Sequence, residues 1–257
     1  MTTICAIGDS HLAALKLGWE TIKADHPGIR LVFFGAPGMN LKDLAVSEAS
    51  LVPTTERLRK MMKHTSGGLE TITRSYDRFL VCGMKFAVFM VQRLYHKYRS
   101  EAEERDERPP ISNECLLRAA QGCLRTSLSV EVVEKLRQVT RAPIGLIPVP
   151  FRANDAAVGQ MWKRDRALVA RTFAEAARRL GDDLDFQPLF PPAAMLSNPI
   201  QTKAEYSENS VRLQGGNKAH GEEDVAHMNP KYGAELLGAI LADPAFGAPP
   251  SRLATAR

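Results

Sequence analysis

Two short stretches near opposite ends of the 257-residue chain carry side chains that can share one piece of chemistry. The first is Gly8-Asp9-Ser10-His11 and the second is Asp224-Val225-Ala226-His227. A serine hydroxyl is a poor nucleophile at neutral pH and needs a base, and that base needs a carboxylate to fix its tautomer and orientation. Asp224 and His227 supply such a pair. A separation of three lets the carboxylate reach imidazole Nδ1 within a single turn, which leaves Nε2 free for Ser10. Read alone, Ser10 has a plainer role as the cap of a following helix, with Gly8 making the turn.

The elements around these residues decide whether they can meet. Short apolar runs alternate with longer segments of helical periodicity, the pattern of an α/β protein with a mostly parallel sheet. The strand candidates are Ile4 to Ile7, Ile29 to Phe34, Arg78 to Cys82, Ile144 to Val149 and a shorter run from Phe186 to Phe190. Five strands suit a three-layer α/β/α sandwich around a central five-stranded parallel sheet. Ligands of such sheets bind beyond the carboxyl ends of the strands, and the first strand runs straight into Ser10. Free backbone N–H groups at the start of the next helix can stabilise an oxyanion there.

Leu12, Leu15, Trp19 and Ile22 recur at helical spacing, and His26-Pro27-Gly28 ends that segment. Lys85 to Arg105 is helical in composition, apolar first and then charged. Residues 112–140 and 156–180 read as further helices, the second closed by Gly181. Asn229-Pro230 marks the start of a last helix running to about Ala242, so His227 falls in the final loop before a helix. That loop opens onto the same sheet edge as the first. Residues 191–223 form a long loop before the Asp224/His227 pair, with a lid, a sugar-binding loop and a merely flexible connection as the readings of its polar sequence. The expected organisation is one domain over 1–246 with a tail at 247–257.

Gly8-Asp9-Ser10 near one end and Asp224-x-x-His227 near the other resemble the first and last blocks of the SGNH/GDSL hydrolase superfamily, and the resemblance implies a flavodoxin-like fold over most of the chain. Gly35-Ala36-Pro37-Gly38-Met39-Asn40 follows the second strand as that family's glycine block does, which implies Gly38 as a backbone oxyanion donor. Its plainer reading is a tight turn. The third block departs from the pattern, because Gly83-Met84-Lys85 stands where the family carries Gly-x-Asn. The readings are that the Lys85 ammonium donates in its place, that a different residue such as Asn40 fills the role, or that the site is impaired. Asp9 is implied to be structural. The activity implied is hydrolysis of a carboxylic ester, acyl or acetyl, through an acyl-enzyme on Ser10. Acyl transfer to an alcohol shares that mechanism, and a catalytically weak domain binding a carbohydrate or anion is the reading outside catalysis.

Other features weigh less. Arg57, Arg59, Lys60 and Lys63 form the densest basic cluster but lack the interleaved aromatics of a nucleic-acid surface, so no nucleic-acid partner is expected despite a formal charge of +5. His220, Glu222, Glu223, Asp224 and His227 cluster without a recognised metal spacing, so neither a metal nor another cofactor is expected. Phe86, Phe89, Met90 and Leu94 read as a helix packed on the sheet, or as one whose edge lines an acyl pocket. His11, His26, His64 and His96 show no partner carboxylate and receive no role. The four cysteines lack paired spacing and read as reduced and structural. No run reaches membrane-spanning length and no export signal is visible, which leads to the expectation of a cytoplasmic protein acting on a small-molecule or glycan ester.

Overall fold

The computed structural model describes residues 1–101, 107–153, 166–212, 219–221, 223–243 and 246. Among the described residues, five strands form one parallel sheet: β1 (Thr2–Gly8), β2 (Ile29–Gly35), β3 (Arg78–Cys82), β4 (Ile144–Ile147) and the short, half-buried β5 (Gln187–Pro188). Their spatial order is β5-β4-β3-β1-β2, with every pairing parallel. Successive residues alternate between two apolar cores. Cys5 and Ile7 join Val32, Phe34, Phe79 and Val81 on one face, while Ile4 and Ala6 join Leu31, Phe33 and Leu80 on the other. Burial on both faces is why β1 to β4 read as largely apolar runs.

Among the described residues, seven α-helices supply the outer layers: α1 (Leu12–Ile22), α2 (Glu56–Ser66), α3 (Val88–Lys97), α4 (Asn113–Arg125), α5 (Leu128–Val139), α6 (Arg166–Leu184) and α7 (Pro230–Ala242). Helices α1 and α7 cover one face through Leu12, Leu15, Trp19, Leu236 and Leu237. The other five cover the opposite face through residues such as Leu58, Val91, Leu124, Leu136 and Phe173. The architecture is therefore the expected α/β/α sandwich. Among the described residues, no helix is long and apolar enough to cross a membrane.

The sheet order fixes where a ligand fits. After β1 the chain crosses to one face as α1, and after the neighbouring β3 it goes to the other as α3, so the two connections part and leave a crevice at the carboxyl ends of β1 and β3. Gly8 and Cys82 are register partners at that end. Gly8 is required by closeness, since a Cβ there would lie 2.7 Å from the Cys82 carbonyl oxygen.

Several sequence expectations need correction. The helix expected from Lys85 to Arg105 spans only Val88–Lys97. Gly83, Met84 and Lys85 all have left-handed backbone, with φ of 76°, 49° and 68°, which delays the right-handed helix. Beyond it, Arg99–Ser100 pairs with Pro110–Ile111 as a short strand, and residues 102–106 lie outside the described set. Residues 112–140 hold two helices, because the Ser127 hydroxyl accepts the Val130 N–H and starts α5 anew. Of the helix expected over 156–180, residues 156–165 lie outside the described set, and α6 runs past Gly181 to Leu184. Gly181 instead lets the chain pack, since a Cβ there would meet the Phe186 carbonyl oxygen at 2.4 Å. The expected loop over 191–223 contains 3-10 turns at Ala193–Met195 and Ala204–Tyr206 and a hairpin of Leu196–Asn198 with Gln201–Thr202. The tail at 247–257 lies outside the described residues.

Helices α1 and α7 approach to backbone contact. A Cβ on Gly233 would sit 1.8 Å from the Ala14 carbonyl oxygen, and one on Gly18 would sit 2.2 Å from the Ala234 nitrogen. Gly233→Ala must therefore push the helices apart. It is expected to cost about 2–3 kcal/mol and to lower the melting temperature by roughly 5–10 °C in a thermal melt, against almost no change for Gly238→Ala, where a Cβ meets open space.

Candidate active site

Ser10 follows β1 directly. The N-cap residue of α1 is His11, and no side chain caps the helix. The capping role is thus not what the Ser10 hydroxyl performs. Its Oγ lies 3.0 Å from Nε2 of His227, across 217 positions of sequence. His227 Nδ1 lies 2.8 Å from Asp224 Oδ2. The other carboxylate oxygen, Oδ1, accepts the backbone N–H groups of Ala226 and His227, each at 2.9 Å. The separation of three seen in the sequence therefore closes a tight carboxylate-centred turn that presents the imidazole to Ser10.

This turn is anchored on both sides. The Val225 carbonyl accepts the Ala153 N–H at 2.8 Å. Asn229 caps α7 by accepting the Tyr232 N–H at 3.1 Å, and its amide donates to the carbonyls of Glu205 and Glu208 at 2.8 and 2.9 Å. The end of the 191–223 segment is thus tied to the start of the last helix around His227.

Asp9 is 8 % exposed and bridges the two strand ends of the crevice. Its Oδ2 accepts the Met84 N–H at 2.8 Å and its Oδ1 accepts the His11 N–H at 3.2 Å. Ser129 supports the left-handed turn from beneath by donating its hydroxyl to the Gly83 carbonyl at 2.6 Å. Gly83 has no room for a side chain, since a Cβ would meet Asp9 Oδ1 at 2.4 Å and the His11 ring at 3.1 Å.

The sequence-predicted oxyanion residues are placed unequally. Among the described residues, the N–H groups of Ser10 and Gly38 have no acceptor. Gly38 has φ +63° and open space around its α-carbon. The Asn40 amide is turned onto the Pro37 carbonyl of its own loop. Lys85 is exposed, and its ammonium has no hydrogen-bond partner among the described residues.

Two histidines that sequence reasoning left without catalytic roles complete the site. The His220 ring stacks face to face on His227, with centroids 4.0 Å apart and planes within 9°. His11 stacks at 4.9 Å and 23°. His220 Nδ1 lies 3.0 Å from Asp224 Oδ2, the oxygen that also faces His227. The signals were the adjacency of His11 to Ser10 and the spacing of four between His220 and Asp224, but stacking between distant segments leaves no trace in spacing. His220, Asp224 and His227 are the members of the five-residue acidic and histidine cluster that converge; Glu222 lies outside the described residues.

Electrostatics separate the roles. Burial works to raise the Asp224 carboxyl, but the hydrogen bonds from the His227 and Ala226 N–H groups and from the His227 ring overcome it and hold the group at about 2. Burial lowers both His11 and His220, with repulsion from His227 adding to it. An ionised carboxylate thus faces a stack whose outer rings favour the neutral form.

A cavity of about 630 Å³ opens beside His11 and Ala226, the chain neighbours of Ser10 and His227. Phe89 lines it while Phe86 is buried in the core, so the apolar residues after β3 divide between packing and cavity wall.

No family model matches the sequence, and no curated protein matches it. Among solved structures, the chain is similar to a GDSL-like lipase from Bacteroides thetaiotaomicron, at 9% identity over 93% of this chain and 85% of that one, with a TM-score of 0.41. It is also similar to the periplasmic domain of a lipopolysaccharide acetyltransferase from Salmonella ser. Paratyphi A, at 12% identity over 93% and 81%, with a TM-score of 0.42.

Proposed function

We propose that the chain is a serine esterase of the SGNH/GDSL type, with Ser10 as nucleophile, His227 as base and Asp224 as the carboxylate that orients it. The observation that carries this reading is the relay of two contacts, 3.0 Å from Ser10 Oγ to His227 Nε2 and 2.8 Å from His227 Nδ1 to Asp224 Oδ2. As Oγ attacks an ester carbonyl, its proton passes to Nε2 and the carbonyl oxygen becomes an oxyanion. The N–H groups of Ser10 and Gly38 stabilise that charge. His227 then protonates the leaving alkoxide, and the acyl group remains on Ser10. In the second step His227 takes a proton from water, whose oxygen attacks the acyl carbon, and the acid leaves as Oγ regains its proton. An alcohol replaces water without any change in this machinery.

A fluorophosphonate probe tests the reading directly. Covalent labelling that disappears in Ser10→Ala supports it, together with Ser10-dependent hydrolysis across a series of p-nitrophenyl esters. A wild-type protein that neither labels nor hydrolyses would instead favour the carbohydrate- or anion-binding reading, for which the exposed Lys85 at the position of the family's asparagine is the supporting observation.

His220 acts here as a positioning residue. Its ring blocks one face of His227 and its Nδ1 lies 3.0 Å from the Asp224 oxygen that also faces His227. His220→Ala is expected to lower kcat about tenfold with little change in KM, because a loosened base misaligns the proton transfer without touching the ground-state ester. His220→Phe should recover most of that loss if stacking is what counts. A change confined to KM would show that His220 contacts substrate instead.

A further inference from the structure

The cavity beside the catalytic pair has a charge pattern that points to its occupant. Val88, Phe89, Val149 and Ile200 give it apolar walls. Three arginines, Arg93, Arg152 and Arg166, also line it, and no acidic residue does among those described. Among the described arginines, Arg59 meets Glu56, Arg118 and Arg179 meet Glu114, and Arg125 meets Glu134, while Arg30, Arg57 and Arg74 meet no carboxylate. Arg93 and Arg152 meet none either, but unlike those three they line a cavity. Both are exposed, and neither makes an ion pair or side-chain hydrogen bond among the described residues.

We propose that this cavity binds an amphiphilic anion: a short aliphatic segment lies against Val88, Phe89, Val149 and Ile200, and a terminal carboxylate or phosphate meets Arg93 and Arg152. Guanidinium groups bind both anions through paired N–H donors, so the shared chemistry is an oxyanion on an apolar stem. A volume of about 630 Å³ is ample for a chain of about six carbons with its headgroup. This assignment rests on the esterase reading only in making the bound molecule part of an ester substrate. The cavity is lined by His11 and Ala226, the chain neighbours of Ser10 and His227, so that ester would carry a negative charge away from its scissile bond.

The test compares three ligands of one length, hexanoate, hexyl phosphate and 1-hexanol, titrated calorimetrically into the full chain. The anions are expected to bind at least about tenfold more tightly than the alcohol, and to compete with Ser10-dependent hydrolysis of p-nitrophenyl acetate. In an Arg93→Gln/Arg152→Gln variant the advantage of the anions should vanish while binding of hexanol and turnover of the small neutral ester persist. The ratio of hexanoate to hexyl phosphate identifies which headgroup the arginines prefer. Equal affinity for the anions and the alcohol, or an anion preference that survives in the double variant, overturns the proposal. The two readings fail separately: turnover at Ser10 without anion preference removes only this one, and anion binding without turnover removes only the esterase.

Discussion

Ser10→Ala is expected to lower kcat/KM for a p-nitrophenyl ester by at least about 10⁴-fold while leaving the fold intact. Loss of the nucleophile removes the covalent route entirely, and what remains is the modest assistance of binding and oxyanion donors. The stability half of the expectation follows from the contacts. Among the described residues the Ser10 hydroxyl bonds only His227, it caps no helix, and its residue is half-buried. Removing one such hydrogen bond should therefore cost no more than about 1 kcal/mol. A urea titration beside the kinetic assay distinguishes lost chemistry from lost structure. Activity within tenfold of wild type would exclude Ser10 as the nucleophile.

The second large effect belongs to Asp224→Asn, expected to reduce kcat by about 10⁴-fold at neutral pH. The amide can keep its oxygen on the N–H groups of Ala226 and His227, so its NH₂ then faces His227 Nδ1. A donor there forces the ring into the tautomer that carries its proton on Nε2. That nitrogen can no longer accept the proton of Ser10. The same substitution has a stability signature. The Asp224 carboxyl is held at about 2, below the usual 3.9 of an unfolded aspartate. Its stabilising contribution is fully present above about pH 4 and is lost as pH falls through 2. Urea midpoints of wild type and Asp224→Asn should therefore differ at pH 7 and converge toward pH 2. A gap that widens on acidification would show that the carboxylate is not the stabilised form.

Much of this site could be read in the residues because its chemistry is local on each side. Gly8 to Ser10 lies at the end of an apolar strand, and Asp224 and His227 lie within one turn of each other. The sheet was equally readable, since the central strands are buried on both faces and largely apolar. What the sequence hid was longer in range or depended on backbone sign. The left-handed run Gly83-Met84-Lys85 cannot be inferred from Met and Lys, which seldom adopt it, and it moved the start of α3. Gly181 looks like a helix stop, and only the approach of Phe186 reveals it as a packing position. The His11-His227-His220 stack joins segments that fold together only in three dimensions.

The contact between Gly18 and Gly233 sets a timetable for the molecule. Ser10 and α1 are made early in synthesis, yet the apolar face of α1 is closed by α7, which emerges more than two hundred residues later. Contacts of such sequence separation form late and slowly. A nascent chain stalled before Pro230 would hold Ser10 without a clamped His227 and an uncovered patch around Leu12, Leu15 and Trp19. The exposed patch and the missing Ser10–His227 contact would end together, when the last helix docks.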